Sequence, residues 1–173
     1  MPTWNSEQYL KFGDERTRPC RDLAARITVP NARRVIDLGC GPGNSSEVLV
    51  SRWPDADITG LDSSEAMLET ARKLQPEREW LKGDIVEWAS DGGGPLYDVV
   101  FANASLQWIP DHTTNFPRLL ARVAPAGAFA AQLPGNHDGP THQLMRDIAA
   151  SASWRQWFPN GRVRENRSPS AHG

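Results

Sequence analysis

Short apolar runs alternate with stretches of helical period along most of this chain. The runs Val35 to Leu38, Asp57 to Leu61, Arg78 to Gly83, Tyr97 to Ala102 and Ala128 to Leu133 read as five strands. Between them lie predicted helices. Asn44 to Arg52 starts on a capping-box-like Asn44-Ser-Ser-Glu47 and turns Val48 and Leu49 inward. Glu65 to Leu74 is capped by Ser63, with Ala66, Leu68 and Ala71 on one side. Thr113 to Val123 carries Phe116, Leu119, Leu120 and Val123 as its inner stripe, and a last helix is expected from Thr141 to Phe158. Asp91-Gly-Gly-Gly-Pro95 and Gly135-Asn-His-Asp-Gly-Pro140 are loops, and Pro125-Ala-Gly127 is a turn.

Strands alternating with helices predict an α/β fold, a parallel sheet with helices on both faces. Ligands in such sheets bind beyond the carboxyl ends of the strands. One domain is expected: an N-terminal helical cap over residues 1–34, an α/β core over 35–135, a helix within 136–158, and a disordered, polar and basic tail over 159–173. In the cap, Trp4, Tyr9 and Phe12 precede Arg16, Arg18, Arg21 and Arg26, with Leu23, Ala24 and Ile27 at helical spacing. Two arrangements fit: a cover over one sheet edge with solvated arginines, or a lid with arginines facing an anionic substrate. Pro19 belongs in a first turn or at a kink.

Composition narrows the classes. A length of 173 residues suits one domain burying roughly 70% of its unfolded surface. The net charge of −2 demands neither nucleic acid nor an anionic membrane. No apolar run approaches the ~20 residues of a membrane helix, and Met1-Pro-Thr-Trp-Asn-Ser lacks the features of a signal peptide. Cys20 and Cys40 are the only cysteines, too few for a disulfide framework or a zinc site. His112, His137, His142 and His172 have no metal-like spacing, so no metal is expected. The expectation is a soluble cytoplasmic protein, monomeric or of unassigned oligomeric state.

The chemistry gathers at Val35-Ile-Asp-Leu-Gly-Cys-Gly-Pro-Gly43: a strand, a glycine-rich turn and a helix start. Glycine can take positive φ and let a ligand touch the backbone, and the helix start adds unpaired N–H groups. The glycines stand at every second position, 39, 41 and 43, rather than in the Gly-x-Gly-x-x-Gly of a dinucleotide fold. Asp37, two residues before the first glycine, is awkward beside a pyrophosphate and suits a ligand carrying an ammonium group. Asp62 and Asp84 follow the second and third strands, and Asn103 the fourth. All are expected at one sheet edge, where Asp62 meets ribose hydroxyls. Asp84 accepts from an exocyclic amine such as that of adenine, between Ile85 and Met67.

With its flanks, Asp37-Leu-Gly-Cys-Gly-Pro-Gly43 resembles the first motif of class I S-adenosylmethionine (SAM)-dependent methyltransferases. The resemblance implies a Rossmann-like core with SAM as cofactor, held by Asp37, Gly39, Cys40, Gly41, Asp62, Ser63, Met67, Asp84, Ile85 and Asn103. A complete fold of that superfamily has seven strands, so this chain is expected to lack the last ones. Trp4-Asn5, Tyr9-Leu-Lys-Phe12, Asp14-Glu-Arg-Thr-Arg-Pro19 and Asn103-Ala-Ser-Leu-Gln-Trp-Ile-Pro-Asp-His112 are similar to segments of the trans-aconitate 2-methyltransferases. That implies a methyl ester made on a small carboxylate. Tyr9, Arg16, Arg18, Gln107 and Trp108 are its substrate candidates, and catalysis is by positioning with no general base. Four alternatives stand beside it: a SAM-binding module without turnover, a methyltransferase for another small molecule, a lower-ranked nucleic-acid methyltransferase and, ranked lowest on the glycine spacing, a nicotinamide dehydrogenase.

Overall fold

A computed structural model of the protein describes residues 13–136 and 138–157. Five parallel strands, β1 (Arg34–Leu38), β2 (Asp57–Asp62), β3 (Glu79–Lys82), β4 (Tyr97–Asn103) and β5 (Val123–Gln132), form one sheet in the order β3-β2-β1-β4-β5. The central strand is buried without alternation: Val35, Ile36, Asp37 and Leu38 are all inaccessible to solvent. A parallel strand covered on both faces reads that way in sequence. β1 is followed on one side by β2 and β3 and the chain then crosses to β4, so strand order reverses between β1 and β4. That reversal opens a crevice at the carboxyl edge.

Helices α1 (Gly13–Ala25), α2 (Asn44–Arg52), α3 (Glu65–Leu74), α4 (Ile85–Ser90) and α5 (His112–Leu120) flank the sheet. Cys20 and Ala24 of α1 and Leu49 of α2 pack with Ile27, Trp53, Val35, Ile58, Val99, Phe101 and Ala130 in the main core. Leu68 and Ala71 of α3 form a second cluster with Cys40 and Trp80. On α5, Leu119 is fully buried and Phe116 meets Phe129 of β5 edge-on at 5.8 Å. By contacts the chain divides into two compact units, Met1–Gln132 and Leu133–Gly173. The second holds α6 (Pro140–Ala150), with Pro140 in the first turn where its missing N–H costs nothing, and a 3-10 turn at Arg155–Trp157.

Several local expectations are corrected. α2 starts on Gly43 without a side-chain cap, because the Ser45 and Ser46 hydroxyls are drawn to Asp37 instead of the helix end. Ser64, not Ser63, is the N-cap of α3, and Met67 rather than Ala66 joins Leu68 and Ala71 on its buried face. Leu120, expected inward, is 53% exposed at the end of α5. β5 begins five residues early: the Pro125-Ala-Gly127 turn is absorbed as an irregularity in the ladder between Tyr97↔Val123 and Val99↔Ala128, with Ala126 at φ +63°. The last helix stops at Ala150, where extended Ser151 turns its hydroxyl back onto the Ile148 carbonyl. Pro19 lies inside α1, where it removes one helical hydrogen bond. The expected tail and the aromatics Trp4, Tyr9 and Phe12 fall outside the described residues.

Candidate functional site

Where β1 ends, Gly39, Gly41 and Gly43 take φ of +71°, +56° and +96°. The turn they make is tied to the end of β2. The Gly39 and Cys40 amides donate to the Leu61 carbonyl at 2.7 and 3.1 Å, and the Gly41 amide donates to Asp62 Oδ2 at 2.8 Å. From the other side Ser105, just past β4, donates its hydroxyl to the Leu38 carbonyl at 2.6 Å. A Cβ on Gly39 would collide with that of Ser105, whereas one on Gly41 would meet nothing. The turn is therefore gripped by the strand ends on both flanks.

Asp37 sits beneath this turn, fully buried. Its Oδ2 accepts hydrogen bonds from the Ser45 and Ser46 hydroxyls at 2.6 and 2.7 Å. Its Oδ1 is buried with no hydrogen-bond partner among the described residues. Burial pushes this carboxyl up to about 6, against the two serine hydroxyls, which pull it down. Buried polar atoms are nearly always paired, so an orphaned carboxylate oxygen marks a place for a cation or donor. Asn103 Oδ1 is orphaned in the same way.

A small cavity of about 20 Å³, lined by Thr17, Cys20, Gly39, Cys40, Asn44, Ser45 and Asn103, lies against the turn. That is room for about one water. Gly39, Cys40 and Asn103 were expected there. Thr17, Cys20, Asn44 and Ser45 were not, although two serines following the last glycine at a helix start were a readable signal. Burial pushes the Cys20 thiol up to about 12 and the Cys40 thiol up as well, which favours the neutral thiol at both positions.

Asp62, at the end of β2, holds the turn with Oδ2 and the Ser64 amide with Oδ1, at 2.8 Å each. Each oxygen keeps a lone pair for a ligand hydroxyl. Ser63 beside it is exposed, and Met67 is buried in the first turn of α3. Asp84 caps α4, its Oδ1 accepting from the Val86 and Glu87 amides at 2.7 and 3.2 Å, with the carboxylate exposed beside half-buried Ile85. The cap role and a ligand role coexist here, since Oδ2 takes no part in the cap.

The expected acceptor residues are more scattered. Gln107 donates Nε2 to the Ala104 carbonyl at 2.6 Å and leaves Oε1 buried without a partner. Trp108 is 50% exposed. Arg18 lines a separate, wider groove of about 510 Å³ with Pro19, Asp22, Leu23, Arg26 and Gln132, sharing no residue with the glycine turn. Its guanidinium lies 4.0 Å from Asp22 in an exposed pair. Tyr9 and the Arg16 side chain lie outside the described residues. His112 is spent on structure, its Nε2 2.8 Å from the Leu106 carbonyl and its ring stacked on Phe116 at 4.9 Å. Among the described residues no cluster of His, Cys, Asp or Glu could hold a metal, and no helix is long and apolar enough to cross a membrane.

Residues 35–127 match the protein family described as "Methyltransferase domain". Trans-aconitate 2-methyltransferase of Azoarcus sp. (strain BH72) is 52% identical over 147 residues, 85% of this chain and 57% of the relative. The protein of the same name from Rhodopseudomonas palustris (strain BisB18) is 48% identical over 167 residues, 96% of this chain and 64% of the relative. The chain thus spans about three fifths of these relatives' length. Among solved structures, SAM-bound CalS10, an amino pentose methyltransferase from Micromonospora echinaspora, superposes with a TM-score of 0.62 at 23% identity, over 78% of this chain and 58% of that one. A putative methyltransferase of Haloferax volcanii, solved with the Trm112 activator, gives 0.64 at 21% identity, over 87% and 70%. At such identities these two speak for the fold.

Proposed function

This chain belongs to the methyltransferase-domain family, and from that premise we propose that it binds SAM at the carboxyl edge of β1, β2 and β3 and methylates a small carboxylate. Trans-aconitate is the acceptor we assign, from the relatives' name. The observation that carries the SAM reading is Asp37, a buried carboxylate with one unpaired oxygen under a glycine turn. An α-ammonium group answers that oxygen and the orphaned Asn103 Oδ1. The positive-φ glycines let the backbone come close to the methionine-like arm. Asp62 receives the ribose hydroxyls, and Asp84 with Ile85 receives the adenine; Cys40, Ser63 and Met67 complete the wall.

When bound, SAM supplies an electrophilic methyl group on a sulfonium. A carboxylate acceptor, with pKa near 4, is already ionised at neutral pH. The chain therefore has no proton to remove, and no residue is assigned as general base. Its work is alignment, which can be worth ~7–11 kcal/mol in a two-reactant step. Arg16, Arg18 and Tyr9 of the N-terminal segment and Gln107 and Trp108 after β4 are proposed to face the acceptor. Gln107 Nε2 spends one of its two N–H groups on the Ala104 carbonyl, which leaves the second as the donor for an acceptor carboxylate.

A second reading is a SAM-binding unit without turnover, favoured by the three-fifths span of the relatives. Incubation with SAM and trans-aconitate, followed by mass spectrometry, separates the two. A trans-aconitate monomethyl ester is the expected product. SAM binding without any ester supports the second reading, and no SAM binding contradicts both.

The raised carboxyl of Asp37 gives a pH signature. Below about pH 6 the free chain holds a proton there, and seating an ammonium group must expel it. Affinity for S-adenosylhomocysteine is expected to fall about tenfold from pH 7 to pH 5, with proton release growing over that window. Calorimetry in buffers of different ionisation enthalpy reads both. A flat profile would separate Asp37 from the ammonium.

A further inference from the structure

α4 is six residues long, and Ala89 is its only buried residue. A helix of that length has little intrinsic stability, so its position depends on what holds its ends. Asp84 caps the first turn. The last turn is held by arginines from outside. Arg122, between α5 and β5 and only 5% exposed, donates Nη1 to the Trp88 carbonyl at 3.1 Å and lies over the Trp88 ring at 4.4 Å. Its Nη2 reaches the Pro95 carbonyl at 3.4 Å, and Gly94 packs so closely that a Cβ there would collide with the guanidinium. Arg118 adds a bond from Nη1 to Ser90 Oγ at 3.2 Å.

Among the described residues Arg122 has no carboxylate within ion-pairing distance. A buried cation without an acid is costly. Carbonyls at a helix C-terminus, the negative end of the dipole, and an aromatic face offset that cost. The hydrogen bonds that repay burying Arg122 are thus to the end of α4 and the loop after it. Asp37, Gly39 and Asp62 hang from β1 and β2 and do not depend on this clamp. Asp84 leaves β3 through Gly83, whose amide donates to the Asp62 carbonyl at 3.1 Å, and with Ile85 it opens the short helix that Arg122 holds at the other end.

We propose that Arg122, clamped on Trp88 at the C-terminal end of α4, is a positioning residue that sets selectivity for the 6-amino group of adenine at the N-terminal end. This rests on the reading of Asp84 as the adenine partner. The test compares dissociation constants of S-adenosylhomocysteine and its analogue lacking the 6-amino group, for the wild-type chain, Arg122→Met and Arg122→Lys. The wild type is expected to prefer the adenine compound by about tenfold or more. Arg122→Met is expected to bring the two ligands within about threefold of each other, with both still bound, and Arg122→Lys to fall between.

A purely structural arginine would weaken both ligands alike and leave their ratio untouched; that result overturns the proposal while sparing the Asp84 reading. A wild-type chain indifferent to the amino group overturns both. If Arg122→Met does not fold, Arg122→Lys, which keeps the cation in place but loses the fork, carries the comparison, and a wild-type ratio in that variant overturns the clamp.

Discussion

Gly39→Ala is expected to cost the chain about 2–6 kcal/mol of folding stability and to abolish SAM binding. Two independent penalties add at this position. With φ at +71°, any side chain is strained by about 1–3 kcal/mol. The new methyl also runs into Ser105, which is buried and pinned by its own hydrogen bond to the Leu38 carbonyl, so it has little room to give. Overpacking of this kind costs about 1–3 kcal/mol more. Gly41→Ala is the control: its φ is +56° but a Cβ there meets nothing, so only the strain remains. Urea denaturation of the two variants reads the difference. Equal costs would mean that Ser105 does not press on the turn.

Asp37→Asn is expected to separate stability from function. Affinity for S-adenosylhomocysteine should drop about 10- to 150-fold, the worth of a charged hydrogen bond of about 1.5–3 kcal/mol. Folding stability at pH 7 should stay level or rise by up to about 2 kcal/mol. The sign follows from the raised carboxyl. A group bound more tightly to its proton in the folded chain contributes stability that is complete below the unfolded value near 3.8 and is lost as pH climbs through about 6. At pH 7 the wild type therefore carries an ionised, fully buried carboxylate, and asparagine relieves it while still accepting from Ser45 and Ser46. The variant should also lose the fall in affinity between pH 7 and pH 5. Denaturant midpoints and calorimetric titrations check the two halves separately.

The features most legible in sequence were those with local causes. β1 and β4 announce themselves as apolar runs interrupted by one aspartate each, Asp37 and Asp98, because a central parallel strand has no solvent face. The three alternate glycines announce positive φ, and all three have it. The acid that ends β2 and the one just past β3 are placed at one edge by the alternation of strand and helix alone. What was not legible came from partners distant along the chain. Ser45 and Ser46 look like caps until Asp37 is folded beneath them. Nothing local singles out Gly60 in β2, yet a Cβ there would collide with the Trp80 ring of β3. Nothing local singles out Arg122 either, yet it is buried with its guanidinium on the Trp88 carbonyl of α4. Pro125-Ala-Gly127 signals a turn in any local reading, and only the ladder with β4 makes it an irregularity within a strand.

That Asp37 and the glycine turn receive the methionine end of SAM is tested most directly by titrating S-adenosylhomocysteine into the wild-type chain and the Asp37→Asn variant, side by side at pH 7. One saturable site per wild-type chain, weakened at least about tenfold in the variant, is the expected result. Equal affinity in a folded variant, or no binding to the wild type, would contradict it.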